Sequence, residues 1–408
     1  MGSAIIRTAT VGAAVAAVAL ALPHANVVEP VRAQSAAASP KVTVIPPPDF
    51  WGAYAIWGAT GADSRGHIWV GITSNDEGAD GSAHLYDFDP ATTTFVDKGA
   101  VVAELARLKV RRPKEVQLKI HSKIVVGADG LQYFASMDEG GENGDGSVYP
   151  TWGGHLWRLG ATGAWQHLRT TKEALIAVAA GGPYVYALGY FNHVLYQYHT
   201  KTGVMKSVAV GSAGGHVSRN FAADTRGHAF VPRITRAANG SPAAALVEYD
   251  AELSELAATP LSEYFERGND DSHGIVGVSP GADGSSLVAT GKGRLYQIVP
   301  HASGPSTVTD LGWFHPKGSR YVPSMFRDDA TGTIYGVAYG SGNGDTKFEW
   351  ISRTADGKAT AALLPYGDKP EFPYAAVLYG SITKDAQGRF YVVGMMNHKP
   401  VILQVTAR

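Results

Sequence analysis

Seven short segments of this chain repeat one local pattern, and that repetition constrains the fold more than any other feature. "ADSRGHIWV" (62–70), "GADGLQYFA" (127–135), "AAGGPYVYA" (179–187) and "ADTRGHAFV" (223–231) share it with "GADGSSLVA" (281–289), "DDATGTIYG" (328–336) and "KDAQGRFYV" (384–392). Each places a small or acidic residue before a glycine and follows it with an alternating apolar run. That is the signature of a tight hairpin whose turn requires a positive φ angle. The glycines are Gly66, Gly130, Gly182, Gly227, Gly284, Gly332 and Gly388, separated by 64, 52, 45, 57, 48 and 56 residues. Those intervals suit one four-stranded unit each. Further strand-like runs fill the intervals, and only "VVAELARLKV" (101–110) carries a helical period. Seven such units predict an all-β, seven-bladed β-propeller, which protects its sheet edges by closing a ring. Only about three strands follow Gly388, so "KVTVI" (41–45) is expected to supply the fourth and clasp the ring.

The N-terminal segment has a different character. Arg7 precedes the apolar run "VGAAVAAVALAL" (11–22), and "VRA" ends at Ala33, as in a secretory signal peptide over residues 1–33. Residues 34–48 then form a lead-in and closing strand, and 49–408 the propeller. The apolar run is too short for a comfortable membrane span. A secreted or periplasmic protein without a stable membrane anchor is therefore expected. The chain contains no cysteine, which excludes disulfides, thiol nucleophiles and thiolate metal sites. Lys plus Arg number 35 against 36 Asp plus Glu, with no basic run, so nucleic acid is not the expected partner. A monomer is expected.

In a propeller the innermost strand of each blade begins on the face that also carries the loop between the second and third strands. Counting back nine to twelve residues from each glycine samples that rim. It finds Trp57, His121, His216 with Arg219, His273, Arg320 with Tyr321, and Tyr379; the third blade gives only the region of Glu173. The loops after the second strands add His155, then Tyr190, Asn192 and His193, Arg233 and Arg236, Lys292 and Arg294, Tyr339, and Asn397 with His398. Both counts collect His, Arg and Tyr at one mouth, and few carboxylates. A nearly neutral protein that gathers cations there is built to hold an anion. A glycosidase would instead need two carboxylates flanking a glycosidic bond. Cations with His and Tyr suit β-elimination on a uronic-acid polysaccharide. Arg neutralises the carboxylate, His or Tyr removes the C5 proton, and His or Tyr protonates the leaving O4. That chemistry requires no cofactor. The alternatives are a metal-dependent propeller lyase or lactonase using His121, His155, His216, His273 and His398, and a non-catalytic propeller that binds glycans or proteins.

Between His121 and His155 lies the long loop "DEGGENGDGSVYPTWGG" (138–154). Its acids Asp138, Glu139, Glu142 and Asp145 lack the full spacing of a calcium loop and read as solvated. The loop is expected to form one wall of the cleft, with Tyr149 and Trp152 placed to stack on a sugar ring.

The block "KIHSKIVVGADGLQYFAS…GGHLWRL", followed by "GGHVSRNFAADTRG", resembles the seven-bladed propeller polysaccharide lyases, including ulvan lyases and rhamnosyl-glucuronate lyases. The resemblance is strongest over residues 117–235. It implies a metal-independent active site of two histidines, a tyrosine and an arginine on the funnel face. His121, His155 and Arg219 match the motifs. Tyr190 is the tyrosine favoured by its rim position, with Tyr198 the alternative from its spacing to Arg219. The resemblance also implies an acidic polysaccharide, containing glucuronate as in ulvan, contacted by the remaining rim residues: Asn192, His193, His216, Asn220, Arg233, His273, Arg320, Tyr321 and Tyr379.

Overall fold

The computed structural model describes residues 39–407, except 77, 79, 144–146, 191–192, 214–217, 266–272 and 341–345; of 380–382 only the backbone is described. The leader segment 1–33 therefore lies outside the described residues, as do the site candidates Asn192 and His216 and the loop acid Asp145. No described helix is long and apolar enough to cross a membrane.

Seven antiparallel sheets follow one another along the chain and form a seven-bladed β-propeller. Each of the seven turn glycines adopts a positive φ, between 50° and 82°, and each joins the first to the second strand of its blade. At Gly227 (φ 80°) space is as restrictive as conformation, because an added Cβ would sit 2.8 Å from the Tyr184 ring. The inner strand of the first blade is split into Ala53–Ala55 and Thr60–Ala62, both paired with Ile68–Ser74. The seventh blade closes as expected: Lys41–Ile45 pairs antiparallel with Lys399–Thr406, from Lys41 opposite Thr406 to Ile45 opposite Ile402. The expected helix is present as Val101–Arg107, buried through Val101, Val102 and Leu105.

Packing explains why the ring is complete. Among the described residues, most of the buried apolar side chains fall into seven clusters, one at each seam between neighbouring blades. Trp157, Phe134, Trp69 and Leu85 fill the seam of blades 1 and 2, while Ile45, Phe88, Tyr391 and Ile402 fill that of blades 7 and 1. A buried aromatic ring removes roughly 150–250 Å² from water, or roughly 4–6 kcal/mol before entropy is counted. Both faces of each twisted blade are therefore apolar, and polar side chains concentrate at the two ends of the strands.

Candidate functional site

The mouth is built from the ends of the inner strands. Residues 119–123, "KIHSK", lead into the inner strand of blade 2 and alternate in burial: Ile120 and Ser122 are buried, while Lys119, His121 and Lys123 are partly exposed on the other side. A backbone bridge between Lys119 and Met137 sets that orientation. His121 Nδ1 donates to the carbonyl of Ile176 on blade 3, at 3.1 Å. That bond fixes the tautomer and leaves Nε2 with its lone pair. Burial, then the charges of Arg219 and Lys119, hold the His121 imidazole well below the usual histidine range, so it is neutral at neutral pH. Lys123 Nζ donates to the carbonyl of Val278 on blade 5, 2.6 Å away, spanning the channel beneath the mouth. Burial lowers its pKa to about 8.

Arg219 occupies the centre. Its Nη2 donates to His273 Nε2 at 3.2 Å, its backbone N–H to the His273 carbonyl at 3.0 Å, and its guanidinium lies 5.0 Å from the Tyr379 ring centroid. Because a guanidinium can only donate, His273 Nε2 accepts. The proton of neutral His273 then resides on Nδ1 and points to the Tyr321 hydroxyl, 2.9 Å away. Tyr379 meets Trp57 edge-on at 4.8 Å. Asn220 lines the channel and donates to the carbonyl of Val276 at 2.7 Å. Tyr190 is held by its backbone N–H to the Ala174 carbonyl, 2.6 Å, and burial raises its phenol pKa against the lowering effect of Arg219. The charge of Arg219 thus acts on Lys119, His121 and Tyr190 together. His121, Tyr190, Arg219, Asn220, His273, Tyr321 and Tyr379 are the expected site residues that the fold brings to this mouth.

His155 is placed differently. It is fully buried on the third strand of blade 2, on the side facing blade 1. Its Nε2 lies 2.8 Å from Glu115 Oε1 and its Nδ1 2.9 Å from His167 Nε2. Since a carboxylate only accepts, His155 Nε2 donates to Glu115 and His167 donates to Nδ1. Glu115 also takes Arg112 Nη2 at 2.7 Å, and Arg112 caps the Trp152 ring at 5.4 Å and donates to the Trp152 carbonyl. His155 therefore anchors the long loop from beneath, with no ring nitrogen turned to the mouth.

Other candidates are also withdrawn from the mouth. His193 is buried, receives the Ser218 N–H on Nε2 and reaches Ser212 Oγ with Nδ1 at 2.7 Å; burial lowers its pKa to about 3. Tyr198 lies at the turn end of its strand, packed near Tyr133. Arg233 makes a two-pronged pair with Glu255 at 2.7 and 2.9 Å. Arg320 is at the rim but leans to Glu349, 3.8 Å away. Tyr149 carries Lys172 over its ring at 5.9 Å, on the blade 3 side. Trp152 does line a cleft beside Lys119.

The long loop is an ordered wall over its described residues. Asp138 accepts the Gly140 and Trp152 N–H groups with its two oxygens, and its own N–H bonds the Gly153 carbonyl. Gly153 (φ 67°) closes the loop where an added Cβ would meet the Thr171 carbonyl at 2.2 Å. The loop acids are not uniformly solvated, contrary to expectation. Glu139 pairs with Lys119, and Glu142 Oε2 is buried without a hydrogen-bond partner. Burial, then Asp138, raises the Glu142 pKa to about 8. Counting from the turn glycines missed Lys119, Lys123 and Glu142. The two lysines were legible as same-side neighbours of His121, two residues away on either flank; Glu142 was legible only as one of the loop acids, and nothing in the sequence showed that it would be sheltered.

Among the described residues, the His and acidic donors that converge closely enough for a metal are Asp63, His67 and Asp87, and Asp224, His228 and Glu248. Both groups lie at the turn glycines, on the opposite face, and each includes an acid already paired with Arg65 or Arg226. The histidines considered as ligands at the mouth do not form such a group among the described residues.

No protein-family model matches the chain, and no curated protein matches it in sequence. Solved structures are similar in fold. The structure of U3-55K is 11% identical with a TM-score of 0.51, over 90% of this chain and 98% of that one. The RRP9 WD40 repeats are 10% identical with a TM-score of 0.52, over 91% and 99% respectively. At such identity the likeness concerns the propeller alone.

Proposed function

We propose that the protein is an exported polysaccharide lyase that cuts a uronic-acid-containing chain by β-elimination. The observation that carries this reading is one cation, Arg219, acting at once on a neutral imidazole and a protonated phenol. The uronate carboxylate pairs with Arg219, with Lys119 nearby. Its arrival offsets the two positive charges that depress His121, so the imidazole becomes a better base as substrate binds. His121 Nε2 takes the C5 proton, the C5–H electrons form the C4=C5 double bond, and the C4–O4 bond breaks. The Tyr190 hydroxyl gives its proton to O4. His273 keeps Arg219 in place, and Tyr321 fixes His273.

The test is a panel of acidic polysaccharides, ulvan included, incubated with pure protein and followed by ultraviolet absorbance of the unsaturated uronate. Replacing His121 by Ala should lower turnover by roughly 10²–10⁴-fold, the usual weight of a general base, and leave affinity for the polymer intact. Absence of the chromophore with every polymer would defeat the reading. A second reading, a propeller that binds acidic glycans without cutting, is favoured by one observation: of the two histidines the resemblance implies, only His121 faces the mouth. It predicts binding that depends on Arg219 and no product.

A further inference from the structure

Two depressions on the mouth face run together over blade 1. One, of about 560 Å³, lies beside Lys119 and is bounded by Trp152, Tyr54 and Asn75. The other, of about 640 Å³, continues from Asn75 to His398 and Trp51. Trp51 is 86% exposed, an unusual position for the largest apolar side chain. Its place is built rather than accidental. Gly52 beside it has φ 81°, and the Asn75 N–H donates to the Gly52 carbonyl at 2.9 Å, pinning the turn that presents the indole. Tyr54 and His398 stack at 5.8 Å along the same path. Aromatic faces spaced between amide and carboxylate groups match a sugar chain, whose rings offer apolar C–H faces and hydroxyl edges. The electrostatics of the groove differ from those of the mouth. Lys399 pairs with Asp49 and Lys119 with Glu139, while Asp76 adds a negative charge. Among the described residues, each lysine lining the groove already has a carboxylate partner, so an uncharged sugar suits it better than a second uronate.

We propose that this groove holds the uncharged sugar residues of the same chain whose uronate sits at Arg219, so that a polymer lies across blade 1 and is gripped on one side of the cut. This rests on the lyase reading, and the experiment separates the two. Calorimetry with His121→Ala protein, in which cutting is slowed enough to measure binding, gives affinity for desulfated ulvan fragments of increasing length. Affinity should rise at least tenfold from short to long fragments. Adding Trp51→Ala should abolish that gain and leave short-fragment affinity within twofold; Trp51 is exposed, so the variant keeps its fold, as an unchanged melting temperature would show. A length gain that survives Trp51→Ala, or no gain at all, overturns the groove. If wild-type protein releases no unsaturated product and the length gain still depends on Trp51, the groove stands and the lyase reading falls. If product forms and Trp51 does not matter, the reverse holds.

Discussion

Arg219 shows how much of the mouth depends on one side chain. It is a donor to His273, a cation over the Tyr379 ring and a charge on His121, Lys119 and Tyr190. Its effect on Lys119 is directly measurable. Burial first, and the Arg219 charge second, lower the Lys119 pKa to about 8, against the raising influence of Glu142 and Asp138. The ammonium is therefore charged below about pH 8 and loses its proton as pH rises through that value, well before a solvated lysine would. Affinity for an acidic oligosaccharide should accordingly fall between about pH 7 and about pH 9. Lys119→Arg should flatten the profile, since a guanidinium stays charged throughout. Titrating binding by calorimetry at several pH values checks both; identical profiles for the two proteins would show that Lys119 does not face the ligand.

At the scale of an element, the long loop is held by a buried network rather than by its own turns. Burial alone would raise the Glu115 pKa, but hydrogen bonds from His155 and Arg112 outweigh it and bring it to about 2. The folded value lies below the unfolded one of 4.5, so the stabilisation is fully present above about pH 4.5 and is lost as pH falls from there through about 2. Glu115→Gln should cost about 2–4 kcal/mol at neutral pH and leave a shallower acid limb. Urea unfolding at neutral and acid pH reads both effects. An unchanged acid limb would mean that another carboxylate governs acid unfolding. The same network explains why the loop needs a histidine at its end: the imidazole links Glu115 to His167 and so joins the wall to its blade.

At the scale of the molecule, stability rests on ring closure. The strand 41–45 contributes Val42 and Ile45, which are 7% and 3% exposed, and covers the edge of strand 399–406 along five residue pairs. Its removal exposes that edge and two core side chains at roughly 1.5–3 kcal/mol each. Deleting residues 41–45 should lower the melting temperature by about 10 °C or more and promote aggregation. Scanning calorimetry with light scattering tests this; an unchanged transition would mean that the ring does not depend on its clasp. Lys123 adds a second, local tie by bridging blades 2 and 5 across the channel.

The recurrent glycine turns were enough to number the blades, to place the closing strand and to put His121, Arg219, His273, Tyr321 and Tyr379 on one rim. Turn chemistry and strand period are local properties, and distance from a turn measures height along the channel. That count carries no information about direction. His155 stands at the right height and faces blade 1, because the pleat and the packing of Trp157 turn its side of the strand into a seam. Tyr198 stands four residues beyond the start of its strand, roughly 13 Å further along it, and so belongs to the opposite face. The Glu142 carboxyl has one oxygen buried in a loop that Asp138 and Gly153 tie closed. The sequence by itself therefore determined the ring and the height of each residue within it. Which residues share the mouth was decided by tertiary packing, since only the contact between blades sets which way each side chain points.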